Sequence, residues 1–307
     1  MLGMRASEVE KAPIATARLR LKDGWRATVV LRDEEGNSLS QADWQEFLGE
    51  PEELLAEKGR SLKAEGANWV AARTIRIGGR ELEAVVKLQK RGAGIRDFFR
   101  RMRHSRSMRT LKTALKLQAM GISAEYPLAA IEQRKWLWAT QGVYMSVYVK
   151  DSRPLYYFLR DDLDGADGGA VVCRRSTARR IAEIFAGLHN GGLWHRDAKG
   201  GNFLVQRENG SCKVVLVDLD GIKPYTVRRR SCRFRSLVKL AATVLCHRGI
   251  HMSDYWRTFT IYCELTGIRE QERRNLFLEL AQEAAAMRLL TMTTSAIEGR
   301  GTFVDPT

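Results

Sequence analysis

Two neighbouring stretches constrain this chain more than any others: Leu193-Trp-His-Arg-Asp-Ala-Lys-Gly-Gly-Asn-Phe-Leu-Val205, and Val214-Val-Leu-Val-Asp-Leu-Asp-Gly221. The first has the form H-R-D-x-K-x-x-N and sets Asp197 and Asn202 in one loop. The second is an apolar run, Val214 to Val217, that ends in Asp218. A short apolar run bounded by polar and turn residues reads as a buried strand, so Asp218 stands where such a strand would emerge. A helical stripe of Ile181, Ile184, Phe185 and Leu188 precedes the loop and stops at His189-Asn-Gly-Gly192. One short motif is weak evidence. Here His195, Arg196, Asp197, Lys199, Asn202 and Asp218 fall in phase, behind a helix and a glycine break.

The 307 residues allow one large or two ordinary domains, and 44% hydrophobic content supports a packed core. A net charge of +15 favours an anionic partner: nucleic acid, an anionic membrane surface or a phosphorylated glycolipid. Nucleic acid fits the charge alone, because no module interleaving aromatic and basic residues accompanies it. Five cysteines, odd in number and without a C-x-x-C pair, argue against a disulfide framework or a zinc site and for a reducing compartment. The N-terminus lacks the apolar core of a secretory signal, and no apolar run approaches the roughly 18 residues of a membrane span. The expected location is cytoplasmic, with peripheral attachment to the inner face of the cytoplasmic membrane compatible with the charge.

Residues 14–31 alternate around Asp23-Gly24, which predicts a hairpin. Ser40, with Asp43 three residues on, opens a short helix that buries Trp44, Phe47 and Leu48. From Gly59 a strand meander is expected: Ser61–Lys63, then Trp69–Ile77, then Leu82–Leu88 after the Gly78-Gly79 turn. Arg96 to Lys112 is strongly basic and leads into a helix with Met108, Leu111, Leu115 and Ala119 at helical spacing, stopped by Gly121. Three further strands are expected at Ala129–Ile131, Lys135–Ala139 and Val143–Val149. Ser176 or Thr177 would cap the helix before the loop, and helices are expected near 236–248, 253–266 and 270–290.

The loop and the Asp218 segment resemble the catalytic loop and metal-binding segment of the protein-kinase-like phosphotransferases. The resemblance implies that Asp197 is the catalytic base, that Lys199 steadies the transferring phosphoryl group, and that Asn202 and Asp218 hold Mg2+. The residue types suit the chemistry: phosphoryl transfer asks for positioning and charge neutralisation, and magnesium takes hard oxygen donors. Ala84-Val85-Val86-Lys87 is similar to the V-A-I-K strand, which implies that Lys87 contacts the α- and β-phosphates of ATP. Gly66, in the turn between the first two meander strands, takes the place of the glycine-rich nucleotide loop. Lys150 to Pro154 would be the hinge. One departure is plain: no Glu lies between Lys87 and Glu125, so the helix acid that normally pairs with the strand lysine is missing. Either Asp97 or a residue from elsewhere replaces it, or Lys87 is held differently.

No A-P-E follows Asp218, and only a short arginine-rich segment precedes the next helix, which favours a small or glycan acceptor over a protein. The layout resembles the lipopolysaccharide kinase family, which phosphorylates Kdo or heptose of the inner core. Leu115 to Ile122, Asp218-Leu-Asp-Gly221, Arg228 to Leu240 and Tyr255 to Gly267 carry the likeness. The expected fold is α+β and two-lobed, kinase-like, with a small antiparallel β-rich N-lobe and a mainly helical C-lobe. Residues 1–58 would form an extension, 59–149 the N-lobe, 150–292 the C-lobe and 293–307 a loose tail. The expected function is ATP-dependent phosphorylation of a sugar hydroxyl on a lipid-linked saccharide, with the arginine clusters meeting that anionic acceptor or the membrane surface. A serine/threonine protein kinase and a pseudokinase binding module are the alternatives.

Overall fold

The computed structural model describes residues 14–51, 59–65, 68–90, 105–135, 138–162, 168–208, 210–225, 229–245 and 250–297. The chain divides into two compact units, Met1–Val149 and Lys150–Thr307.

The first unit is built on a seven-stranded antiparallel sheet. Its strands are β1 (Thr16–Arg20), β2 (Trp25–Val30), β3 (Arg60–Glu65), β4 (Asn68–Ile77), β5 (Arg80–Lys90), β6 (Pro127–Lys135) and β7 (Trp138–Val147), in the spatial order β1-β2-β6-β7-β5-β4-β3. Asp23 and Gly24 both take positive φ, 53° and 75°, which is the tight hairpin turn that matches strand twist. The hairpin is more than a cover: β2 pairs along β6 from Trp25↔Gln133 to Val29↔Ala129, extending the sheet by two strands. Helix α1 (Gln41–Phe47) starts at Ser40 with a full capping box to Asp43. It is pinned by the buried Trp44 indole, which donates to the Val30 carbonyl at 2.8 Å.

Side chains alternate across the sheet. Ala129, Ile131, Val143, Met145 and Val86 enter one core with Trp25, Trp44 and Ile77. Ala130 and Tyr144 point the other way, to pack with Leu111 of helix α2 (Arg106–Ala119). The three strands expected between 129 and 149 are two long ones. Gly142 does not break β7; it lets the start of α2 approach, since a Cβ there would lie 2.6 Å from the Ser107 hydroxyl.

The second unit holds a small sheet of β8 (Ser152–Pro154), β10 (Phe203–Glu208) and β11 (Ser211–Leu216), and a two-stranded pair of β9 (Leu193–His195) with β12 (Ile222–Pro224). Around them lie helices α3 (Gly168–Asn190), α4 (Arg229–Val244), α5 (Met252–Thr266) and α6 (Glu270–Ile297). Two of these helices begin earlier than expected. Ser176 lies inside α3 rather than at its cap; its hydroxyl donates to the Cys173 carbonyl and accepts from the Cys212 amide, tying helix to β11. Helix α4 takes in Arg229, Arg230, Arg233 and Arg235, so part of the arginine-rich segment is helical. Helix α6 runs to Ile297, into the segment expected to be a tail. Among the described residues, no helix is long and apolar enough to cross a membrane.

Gly142→Ala should lower stability by about 1–3 kcal/mol, the range for overpacking a filled site. The paired change with Ser107→Ala should recover part of it. Chemical denaturation of the four corners of that cycle measures both effects, and purely additive losses would refute the close contact as the cause.

Candidate active site

In the second unit the catalytic-loop motif and the Asp218 segment are sewn together by backbone hydrogen bonds. The Arg196 amide donates to the Gly221 carbonyl at 2.9 Å, and the Val217 amide to the Asn202 carbonyl at 2.9 Å. Residue pairs Ile222↔His195 and Lys223↔Trp194 continue the seam. Within the loop, the Lys199 amide donates to the Asp197 carbonyl and the Asn202 amide to the Lys199 carbonyl, closing a tight turn. Asp197, Lys199, Asn202 and Asp218 are thereby brought together.

The buried imidazole of His195 organises this turn. Its Nδ1 accepts from the Asp197 amide at 3.1 Å, while the Ser236 hydroxyl of α4 donates to its carbonyl at 3.0 Å. A Cβ on Gly221 would lie 2.6 Å from the ring, so glycine is required there for the ring to sit against the Asp218 segment. Burial pushes the His195 pKa down to about 4, against the opposing pull of the Asp218 and Asp197 carboxylates. A neutral ring keeps Nδ1 as the acceptor that the loop needs.

Asp197 itself is half exposed, at 49%. Two ammonium groups flank it: Lys199 lies 3.6 Å from Oδ2, and Lys239 of α4 lies 3.9 Å from Oδ1. Pairs as long and as exposed as these contribute about 0–1 kcal/mol, so the carboxylate is steered rather than locked. Asn202 is buried, and its amide nitrogen donates to the Asp197 carbonyl at 2.8 Å. That bond fixes the amide orientation and leaves the oxygen as the acceptor atom. Asp218 holds a left-handed conformation, φ 58° and ψ 54°. Such strain in a non-glycine residue persists only where the surroundings impose it, and here the Asn202–Val217 and Arg196–Gly221 bonds do so. Asp220 lies one turn on, its carbonyl accepting from Lys223.

Sequence reasoning missed Lys239. The signal is a polar stripe on α4: Ser236, Lys239 and Thr243 share one face, and all three meet the loop, Thr243 by accepting from the Gly200 amide at 2.8 Å. Arg233 of the same helix, by contrast, is tied internally, donating to the Tyr225 hydroxyl and the His189 carbonyl.

In the first unit, Lys87 of β5 is opposite Tyr144 of β7, on the sheet face that packs α2. Its ammonium lies 3.3 and 3.2 Å from the two oxygens of Glu125, which is 3% exposed. The Ser146 hydroxyl donates to the same carboxylate, and the ammonium stands 5.9 Å from the Tyr144 ring centre. The acid missing from the helix is thus supplied by the segment between α2 and β6. The residues of α2 that bury themselves are Ser107, Thr110, Leu111, Ala114 and Leu117, none of them acidic. Gly121, at φ 67°, ends the helix, Ile122 bonds back to Leu117, and the Gln118 amide holds the Ala124 carbonyl, which delivers Glu125 beneath the sheet. Gly66 and Asp97 lie outside the described residues.

The lipopolysaccharide kinase (Kdo/WaaP) family model matches residues 61–262, well over half of the chain. This chain belongs to that family. A solved structure of WaaP in complex with acyl carrier protein aligns with a TM-score of 0.59 at 16% identity, over 81% of this chain and 97% of that one. A structure of the PAN3 pseudokinase mutant of Neurospora crassa aligns over 72% of this chain and 56% of its own, at 11% identity and a TM-score of 0.41. No curated protein matches the sequence significantly. The fold is therefore the expected α+β kinase-like one, and the protein is a kinase, a phosphotransferase of the lipopolysaccharide kinase family.

Two outcomes test the His195 hub of this kinase. Folded pKa values of about 4 for His195 and about 3 for His189 lie below the ordinary 6.5, so the unfolded chain takes up more protons at mild acidity. Their contribution should be complete above pH 6.5 and drain away as pH falls towards 4, by on the order of 3 kcal/mol for each ring. Stability measured by denaturant titration from pH 8 to 4 should fall across that window in the wild type. Gly221→Ala should push the ring off the seam and lower kcat at least about tenfold while the melting transition stays cooperative. Unchanged kcat would remove the hub from the site.

Proposed function

We propose that this kinase transfers the γ-phosphoryl group of ATP to a sugar hydroxyl, of Kdo or heptose, in the lipopolysaccharide inner core. The observation that carries the reading is the seam that joins the turn of Asp197 and Asn202 to the Asp218 segment, with Lys199 on the Asp197 carboxylate. Asp197 would orient the acceptor hydroxyl and take its proton as the acceptor oxygen bonds to phosphorus and the bond to the ADP leaving group breaks. A half-exposed carboxylate flanked by two long ion pairs is open to such a hydroxyl. Lys199 would hold the transferring phosphoryl group. Lys87 would bind the α- and β-phosphates, with Glu125 aiming its ammonium.

The donors present fit Mg2+: with its nitrogen bonded to the Asp197 carbonyl, Asn202 offers its amide oxygen, and Asp218 adds a carboxylate. When bound, the metal would neutralise phosphate charge. The residues themselves would bind it and keep Asp197 in place. On this reading residues 59–149 serve the nucleotide and 150–292 the transfer. The acceptor is taken to be a glycan because α4 begins at Arg229, soon after Asp218, leaving little chain for a peptide-docking segment. The charge of +15 suits a phosphorylated glycolipid at the anionic inner face of the cytoplasmic membrane.

The test is incubation with labelled ATP and lipopolysaccharide core. Asp197→Ala should lower kcat by about 10²–10⁴, the usual worth of a general base. Glu125→Gln should raise the KM for ATP and lower kcat/KM, with a loss of stability of up to about 3–5 kcal/mol as Lys87 is left without a counter-charge. Label appearing in added protein substrates rather than in the saccharide would favour the serine/threonine reading.

A further inference from the structure

The pair of lysines at Asp197 carries information about the acceptor. Lys199 belongs to the loop and stands at Oδ2; Lys239 comes from α4 and stands at Oδ1. The two cations thus flank different oxygens of one carboxylate. With Lys199 engaged by the phosphoryl group, the second ammonium stays beside Oδ1, the oxygen left to take the hydroxyl proton. Its placement is built rather than incidental. The helix that bears it is fastened to the loop on both sides of it, by Ser236 to the His195 carbonyl at 3.0 Å and by Thr243 to the Gly200 amide at 2.8 Å.

The charges decide what such a site can accept. Asp197 alone would repel an anionic sugar, and with Lys199 committed to the phosphoryl group it is the Lys239 ammonium beside Oδ1 that offsets this carboxylate. At 3.9 Å, and with Lys239 36% exposed and Asp197 49% exposed, the ion pair is weak, so the ammonium can turn to a second anion without a large loss. A lysine ammonium is a compact charge with three rotatable donors, suited to a carboxylate or phosphate of variable geometry.

We infer that Lys239 is a specificity-determining residue: it binds an anionic group, carboxylate or phosphate, carried by the acceptor beside the hydroxyl that is phosphorylated. This rests on the acceptor reading above. The anion then does two things at once. It selects an acidic saccharide, and it draws the ammonium from Asp197, freeing Oδ1 for the hydroxyl proton.

The experiment is isothermal titration, without nucleotide, of wild type, Lys239→Met and Lys239→Arg against deacylated lipopolysaccharide inner-core saccharide in three forms: as isolated, carboxyl-methylated, and dephosphorylated with hydrogen fluoride. Lys239→Met should weaken binding of the native saccharide about tenfold or more, as expected for loss of a charge-assisted contact, and Lys239→Arg should retain most of it. One neutralised form should bind wild type as weakly as the variant, with no further loss on adding the substitution; which form does so names the anion. In turnover with native saccharide, the acceptor KM should rise by the same factor while kcat stays within about threefold. Equal weakening toward all three saccharides, or a fall in kcat with KM unchanged, would mean that Lys239 acts only on Asp197 and would overturn the inference. If wild type binds no form of the saccharide, the acceptor reading falls with it. Binding that does not depend on Lys239 sinks this inference alone.

Discussion

The second unit depends on one neutral, buried imidazole. His195 accepts the Asp197 amide on its ring, receives the Ser236 hydroxyl on its carbonyl, pairs with Ile222 through its strand, and lies against Gly221. Each contact fixes a different element: the loop, α4, β12 and the Asp218 segment. A protonated ring would offer a donor where the Asp197 amide also donates, so the contacts hold together only while burial keeps the ring uncharged. The rigidity of the turn comes from a residue that touches no substrate in the proposed reaction.

The first unit meets its electrostatic requirement by a different route. A lysine among buried strands needs a counter-charge, because an ammonium in a low-dielectric setting is costly unless paired. Helix α2 packs on that sheet face with small and apolar side chains, and Gly142 lets it come close. With the helix so near, the carboxylate arrives from the turn that follows it. Glu125 reaches Lys87 with Ser146 completing the cluster. The pairing is kept, while the element that supplies the acid has changed.

Helix α4 joins structure to chemistry. Its one polar face holds the loop through Ser236 and Thr243 and sets Lys239 at Asp197, while Arg233 closes the end of α3 by binding the His189 carbonyl. The basic character of this region thus divides into internal and outward roles. Arg233 belongs to the packing, and Arg230 and Arg235 remain exposed.

By itself, the sequence determined the loop and the apolar strand just before Asp218, because those depend on local spacing and on periodicity within single elements, and it carried the resemblance that implied the kinase-like class and the family. His195 to Asn202 is contiguous, and the apolar run Val214 to Val217 reads as a buried strand, which the structure places at Ser211–Leu216. Only the tertiary structure decided Glu125, 38 residues from Lys87, and Lys239, which meets Asp197 from a distant helix. It also decided that the first hairpin joins the main sheet through β6 and that Gly142 marks a close approach of α2. Such pairings are settled by which faces pack together. A charge that is one among 51 basic residues along the chain becomes particular only when folding places it 3.9 Å from one carboxylate oxygen.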